Sequence, residues 1–163
     1  MGTWFVIHVK PTYFETTCCN AVEKYSSTDN KKISIDFTYC NQSNPTTTKS
    51  LPQKGFVQEG HGGDWKVSPL WPLKMPYTII GLADDYSHCT IGYPNRDYFW
   101  IMARTPTLPA ETKKKLLSDL TTKHGYSLEG SFEVPQDWTK EGYAKERGVE
   151  EEVKAGFVWK GRI

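Results

Sequence analysis

The sequence predicts an all-β fold, either a sandwich or a barrel, with one α-helix late in the chain. Short segments of alternating apolar and polar residues recur at regular spacing, and turn-forming residues separate them. One later segment, residues 109–124, instead combines helically spaced leucines with suitable helix ends. The length of 163 residues suits a single domain with a substantial core.

The clearest predicted strand covers residues 32–39, where Ile33, Ile35, Phe37 and Tyr39 alternate with polar residues. A Ser-Thr-Asp-Asn segment just before it is typical of a turn. Short strands at this spacing are typical of a sandwich or a barrel. The full set of predicted strands is residues 4–9, 22–25, 32–39, 51–57, 65–70, 77–82, 88–93 and 97–104.

The predicted helix has a recognisable start, apolar face and end. Pro109 suits the first turn of a helix, where its missing N–H costs nothing. Leu116, Leu117 and Leu120 form one apolar face, and Gly125 suits the position just past the end. This face should pack against the predicted sheet.

The end of the chain differs in composition from the rest. A last short strand is predicted at residues 131–134, and charged residues with scattered Trp and Tyr then follow. The segment 146–155 has the spacing of a second helix, although Gly148 weakens it. We therefore predict a barrel domain of residues 1–135 and an extension, residues 136–163, that packs on the barrel or is partly disordered.

Composition excludes several classes of protein. A net charge of +1 gives no electrostatic attraction to nucleic acid, so we expect no nucleic-acid partner. No apolar run approaches the roughly 20 residues of a membrane span. Charged and turn-forming residues follow Met1 within about ten positions, and we expect no signal peptide there. The six Trp, nine Tyr and seven Phe indicate a tight aromatic core or an aromatic cavity.

Three short motifs narrow the choice of fold. Gly2-Thr3-Trp4 opens the first strand, Asp84 lies between two late strands, and Arg104 ends the strand that precedes the helix. This order resembles the three signature regions of the lipocalins, and the similarity extends over residues 2 to about 135. The stretch 77–106 is most similar to bacterial outer-membrane lipocalins, plant temperature-induced lipocalins and apolipoprotein D.

The resemblance implies an eight-stranded antiparallel up-and-down β-barrel, with one C-terminal α-helix, residues 109–124, packed outside. It also implies structural roles for Gly2, Trp4, Asp84 and Arg104. Trp4 would pack across the closed end of the barrel, and the guanidinium of Arg104 would stack on its ring. These residues mark the fold and do not make a binding site.

An eight-stranded barrel is wide enough to hold one small ligand. Alternation along the strands, combined with the lipocalin resemblance, assigns an interior of aromatic and branched aliphatic side chains. A slip of one residue in a strand would invert its assignment. The candidate ligand-binding residues are Val6, His8, Ile35, Phe37, Tyr39, Thr78, Ile80, Cys89, Ile91, Tyr93, Tyr98, Trp100 and Met102.

Two of these candidates allow more than one role. His8 in an apolar interior needs a partner, which is the polar end of a ligand, a haem iron, or a protein group. Cys89 is either a small buried hydrophobic residue or a point of covalent attachment for a tetrapyrrole. We predict no metal site and no catalytic residue.

The four cysteines predict one disulfide bond. A hairpin turn near Asp29 places Cys18 opposite Cys40, and a shift of one residue places Cys19 there instead. Opposed residues on paired strands lie about 4.5–5.5 Å apart, which is within disulfide range. We therefore expect Cys40 to bond to Cys18 or Cys19 near the barrel mouth. The alternative is four free thiols in a cytosolic protein.

The leading functional hypothesis is that the barrel binds and carries a small hydrophobic molecule. The ligand would be a fatty acid, lysophospholipid, sterol or carotenoid-like compound, and the resemblance implies a role in lipid transport or membrane protection. One alternative is a pigment carrier with a bound carotenoid or tetrapyrrole. A further alternative is an enzyme acting on an apolar substrate, for which Cys89 and His8 are the candidate groups.

The charged and aromatic extension suggests additional partners. Its residues Trp138, Tyr143 and Trp159 would dock a partner, form a dimer contact or close the barrel mouth. Peripheral association with a membrane is a further expectation. A secreted or lumenal location is favoured if the sequence is a mature fragment, and the cytoplasm otherwise.

Overall fold

The computed structural model describes residues 1–29, 31–60, 62–70 and 72–160, with the backbone alone at Phe14 and at residues 157–160. Within these ranges, nine strands form one antiparallel sheet in the order β2-β3-β4-β5-β6-β7-β8-β1-β9. They are β1 Gly2–Lys10, β2 Cys18–Asp29, β3 Lys32–Asn41, β4 Asn44–Val57, β5 Asp64–Ser68, β6 Met75–Leu82, β7 His88–Gly92, β8 Phe99–Ala103 and β9 Phe132–Glu133.

The sheet closes on itself because β1 pairs with both of its neighbours in the barrel. Its first half pairs with β2, from Gly2 opposite Tyr25 to Phe5 opposite Val22, and its other edge pairs with β8. β9 adds to the far end of β1 as an extra strand. The predicted eight-stranded antiparallel barrel is therefore confirmed.

The helices lie after the eighth strand. They are α1 Ala110–Thr122, α2 Tyr143–Glu146 and α3 Glu150–Lys160, and a 3₁₀ turn, Tyr13–Glu15, follows β1. The predicted helix 109–124 corresponds to α1, which begins just after Pro109. Gly148 separates α2 from α3 with a left-handed φ of +61°, which explains why the predicted segment 146–155 is not one continuous helix. No helix in the described ranges is both long and apolar enough to cross a bilayer.

Two strands begin at least four residues earlier than the sequence pattern predicts. β4 begins at Asn44 instead of residue 51, and β2 begins at Cys18 instead of residue 22. The added part of β4 is exposed and polar, so it carries no apolar alternation. Its pairing with β3, from Tyr39 opposite Lys49 onward, holds it in the sheet.

Apolar side chains pack on both faces of the barrel wall. One cluster fills part of the interior, and a second lies between β8 and α1, where Phe99 and Ile101 contact Leu120. A third cluster lies under the C-terminal extension, where Trp138 and Val149 are buried with Phe5 of β1. The described part of the extension is thus an outer layer on the barrel.

Candidate functional site

The closed end of the barrel is built by the first motif and the last strand. The Arg104 guanidinium lies 3.7 Å from the centre of the Trp4 ring and donates a hydrogen bond of 2.8 Å to the Thr3 carbonyl. Gly2 has a left-handed φ of +87°, and a Cβ there would lie only 3.2 Å from Arg104 Nη1. Asp84 lies in an exposed turn beside this end. These contacts bring Gly2, Trp4 and Arg104 together at this end, and a structural role for Asp84 stays a prediction.

Two cavities lie in the described part of the interior. The larger, which we call the mouth cavity, has a volume of ≈ 190 Å³ and opens at the end opposite Trp4. A closed-end cavity of ≈ 180 Å³ lies beyond it, next to Trp4 and Arg104. Tyr77 lines both. The residues lining the mouth cavity are Thr12, Tyr13, Glu15, Glu23, Ile35, Phe37, Leu51, Gln53, Val67, Pro69, Met75, Pro76, Tyr77, Tyr98 and Trp100.

A polar layer separates the two cavities, and it consists of Glu23, Tyr25 and Tyr77. The hydroxyls of Tyr25 and Tyr77 lie 2.7 Å apart, and the Tyr25 hydroxyl donates to the Glu23 carboxyl. The Tyr77 ring stacks between Trp65 and Trp100, with ring centres 5.6 and 6.2 Å away. The layer therefore forms a polar floor beneath an otherwise mainly apolar mouth cavity.

Glu23 supplies the carboxyl of this layer and is 6% exposed. Burial raises its pKa to about 7, since an ionised carboxylate loses its hydration there. The hydrogen bond from Tyr25 opposes this pKa rise, and the negative charge of Glu15 adds to it. Glu23 therefore changes its charge close to neutral pH.

Glu15 is a second buried carboxyl in the same cavity. The Trp100 indole N–H donates to one of its oxygens over 2.8 Å, and the Thr12 hydroxyl donates to the other over 2.7 Å. Burial raises the pKa of Glu15, and these hydrogen bonds lower it in part. The bonds hold the 3₁₀ turn against β8 at the mouth.

Most of the predicted interior residues lie in the interior cluster or pack against it. Four of them line the mouth cavity: Ile35, Phe37, Tyr98 and Trp100. Cys89, Ile91 and Met102 line the closed-end cavity. Val6 is buried in the same cluster, and Tyr39 packs against it.

The inward orientation predicted for His8 is wrong. A β-bulge between Val6 and His8 shifts the register, so that Val9 replaces His8 in the interior. The His8 ring stacks on Phe99 outside the wall, and Nε2 lies 3.0 Å from the Ser131 hydroxyl. Burial lowers the pKa of His8 there.

The inward orientations predicted for Thr78, Ile80 and Tyr93 are also wrong. The register of β6 is shifted by one residue, so that Tyr77 and Ile79 face the interior. Thr78, Ile80 and Tyr93 line a separate outer pocket beside Tyr126. Tyr93 lies just past the end of β7, where its backbone N–H donates to the Tyr126 hydroxyl.

His8 and Cys89 do not form a pair, because they lie on opposite sides of the barrel wall. Burial raises the pKa of the Cys89 thiol to about 12, which keeps it protonated near neutral pH. The pair considered as an enzyme centre is therefore not assembled.

The polar floor was not predicted from the sequence, although one signal for it was present. Glu23 pairs with Trp4 on one side and with Phe37 on the other, and both of these side chains were expected to point inward. Residues directly opposed on paired strands share a face of the sheet. Applying this rule across the hairpin would have placed Glu23 in the interior.

The predicted disulfide is confirmed, with Cys19 as the partner of Cys40. Their Cα atoms lie 5.0 Å apart, and the bond joins β2 to β3 near the mouth. Cys18 is a free, buried thiol in the interior cluster.

A closed antiparallel barrel with an apolar cavity at its open end defines the class of calyx-shaped barrel proteins. Residues 1–136 match the family described as the lipocalin-like domain. The chain therefore belongs to the lipocalin family.

Named relatives agree with the predicted subfamily resemblance. The outer membrane lipoprotein Blc of Citrobacter freundii is 29% identical over 136 residues, which cover 83% of this chain and 76% of that protein. Apolipoprotein D of Mus musculus is 31% identical, with 79% and 70% covered. Temperature-induced lipocalin-1 of Arabidopsis thaliana is 34% identical over 71 residues, which cover 44% and 38%. The solved structure of H1 crustacyanin from the lobster Homarus americanus superposes with a TM-score of 0.69 at 14% identity, covering 91% and 82%.

Proposed function

We propose that this lipocalin binds one slim hydrophobic molecule, built around a single hydrocarbon chain, in the mouth cavity. The observation that carries the proposal is an open cavity walled by Ile35, Phe37, Leu51, Val67 and Trp100. Convergent apolar and aromatic walls with few polar groups are typical of small-molecule sites. Membership of the lipocalin family supports the same function.

The size of the cavity favours a slim ligand over a bulky pigment. Its ≈ 190 Å³ lies below the roughly 300–1,000 Å³ of typical ligand pockets. Burying 100 Å² of apolar surface contributes about 2.5 kcal/mol, and a micromolar Kd corresponds to about 8 kcal/mol. A single chain that buries a few hundred Å² is therefore sufficient, and the broad ring system of a tetrapyrrole would need a wider cavity.

The aromatic residues of the extension pack on the barrel of their own chain, which argues against their docking a partner protein. Trp138 and Tyr143 are buried against the barrel, in contact with Phe5 or with each other. The side chain of Trp159 lies outside the described residues. Dimerisation and association with a membrane surface remain predictions.

Calorimetric titration with decan-1-ol tests the proposal. We expect a stoichiometry of one and a micromolar Kd for the wild-type chain. Leu51→Trp should weaken binding at least about tenfold, since the larger ring fills the mouth cavity. Ser50→Trp is the matched control, because residue 50 is exposed on the same strand and lines no cavity among those described. Equal loss in both variants, or no binding by the wild type, would contradict the proposal.

A further inference from the structure

Glu23 lies where a hydrophobic ligand entering the mouth would end. Its side chain is 6% exposed and lines the floor of the mouth cavity. The two residues paired with it across the sheet, Trp4 and Phe37, are apolar and buried. A ligand that fills this cavity therefore places its leading end against a carboxyl group.

The hydrogen bonding of Glu23 is incomplete. One of its oxygens accepts a hydrogen bond from Tyr25, and no other described side chain or backbone group donates to the carboxyl. Both oxygens of Glu15, in contrast, are occupied by Trp100 and Thr12. The other oxygen touches the cavity space and is not fully buried, so Glu23 retains capacity for one more hydrogen bond from inside the cavity.

Resting on the function proposed above, we infer that Glu23 is a specificity residue that selects ligands whose leading end carries a hydrogen-bond donor. The ligand class is a hydrocarbon chain ending in an alcohol or an amine. Such an end donates to the free capacity of Glu23, and an ammonium group also pairs with its charge. A plain alkyl end has no hydrogen to donate, so the free oxygen of Glu23 would lack a hydrogen bond.

A carboxylate end is disfavoured by the charges around the floor. Glu15 and Glu23 both line the mouth cavity, and none of the described residues lining it is a Lys, Arg or His. Gln53 offers one neutral amide, which is a weak counterpart to two carboxyls. A third carboxylate would be buried without a cation, which is unfavourable in a site of low dielectric.

The preference should depend on pH. The titratable groups that act on Glu23 are Glu15 from the 3₁₀ turn, Tyr25 on β2, Tyr77 on β6 and Cys89 on β7. Burial raises the pKa of Glu23 to about 7, so it is ionised at pH 8.5 and neutral at pH 5.5. The neutral form donates its own hydrogen to a carboxylate, which reduces the discrimination in acid.

Calorimetry with decan-1-ol, decylamine and sodium decanoate, all below micellar concentration, tests the inference. At pH 8.5 we expect the wild-type chain to bind the alcohol and the amine at least tenfold more tightly than decanoate. Glu23→Gln should bind the amine at least tenfold more weakly than the wild type and should bind decanoate more tightly. Glu59→Gln, which removes an exposed carboxyl on the outside, should match the wild type.

The outcomes separate this inference from the proposed function. If decanoate binds the wild type as tightly as decan-1-ol, the selection by Glu23 is overturned while the proposed function stands. If none of the three compounds binds, both fail. If Glu23→Gln does not fold, the pH dependence of binding by the wild type tests the inference. Its preference for amine over decanoate must fall at least tenfold between pH 8.5 and pH 5.5, and a constant ratio overturns the inference.

Discussion

At the scale of single residues, Glu23 departs from the pattern that stabilises the barrel. Its neighbours across the sheet are a buried Trp and a buried Phe, and an apolar side chain at position 23 would fit between them. Burying a carboxyl at this position instead costs free energy. Residues that break a folding rule tend to occur at functional sites, which agrees with a role for Glu23 in ligand selection.

The cost of burying Glu23 should appear as a pH-dependent stability. Its folded pKa of about 7 lies above the ordinary value of 4.5, so its contribution to stability is fully present below pH 4.5 and is lost as pH rises to about 7. Glu23→Gln should therefore gain about 3 kcal/mol relative to the wild type between pH 4.5 and pH 8, at 1.36 kcal/mol per pKa unit.

Urea unfolding of both proteins at the two pH values measures this gain. The pKa of Glu15 is also raised, and taking the difference between variant and wild type at each pH cancels the part of its contribution that both proteins share. Glu59→Gln serves as control for the loss of a carboxyl, because its side chain is exposed on the outside and pairs only with Lys31 in the described structure. A gap for Glu23→Gln that does not change with pH would show that the carboxyl is not buried as described.

At the scale of elements, the C-terminal extension explains why strand β1 was difficult to orient from sequence. β1 reads as a nearly continuous apolar run, since Trp4 and Val6 face the interior while Phe5 and Ile7 face the extension. A strand covered on both faces has no period-two alternation. The bulge after Val6 then changes the phase, which no pattern of apolar residues reveals.

The same reasoning applies to β6. Ile79 faces the closed-end cavity and Ile80 packs toward α1, so both faces are apolar at that point. The sequence therefore predicted the existence of this strand correctly and placed its side chains on the wrong faces. By contrast, β3 is exposed on its outer face, and its predicted interior residues Ile35 and Phe37 do line the mouth cavity.

Arg147 holds the extension on the barrel through hydrogen bonds. No carboxylate among the described residues pairs with it. Its guanidinium donates to the Tyr143 hydroxyl, the Asn20 carbonyl and the Thr38 hydroxyl, over 2.8, 3.0 and 2.7 Å. It also lies 5.3 Å from the centre of the Trp138 ring. The extension is therefore held by apolar packing and by hydrogen bonds that a buried cation donates.

A substitution at Trp138 tests how much the extension contributes to the free energy of unfolding. Its ring is 5% exposed, meets Phe5 edge-on and stacks on Tyr143. Trp138→Ala should lower the free energy of unfolding by about 3–5 kcal/mol, as expected for a buried tryptophan. Tyr86→Ala, at an aromatic residue that is 59% exposed, should cost far less.

Calorimetric titration of the Trp138→Ala variant shows whether the extension only stabilises the barrel or also covers the ligand site. Trp138 lines neither interior cavity, so decan-1-ol should bind the folded variant with the wild-type Kd. A marked loss of affinity without loss of stability would instead assign the extension to ligand binding.

At the scale of the whole molecule, the barrel topology and the disulfide could be predicted from the sequence. The division of the interior into two cavities by a polar layer could not. Strand spacing and the late helix predicted a sandwich or a barrel from local pattern, and the resemblance of three short motifs to the lipocalins implied the barrel. The polar layer requires Glu23, Tyr25 and Tyr77 to meet from different strands. Such a meeting depends on register, which shifts by one residue at several points in this sheet.

The Cys19–Cys40 bond should stabilise the whole barrel by restricting the unfolded chain. It joins residues 21 positions apart, and closing a loop of that length is worth about 3 kcal/mol in the chain-entropy treatment. The double variant Cys19→Ala/Cys40→Ala should therefore unfold at lower urea concentration, by about 3 kcal/mol in free energy. A reducing agent should shift the wild type by a similar amount and leave the double variant unchanged, which controls for the two substitutions themselves. An equal response of both proteins to the reductant would mean that the stabilisation comes from another source.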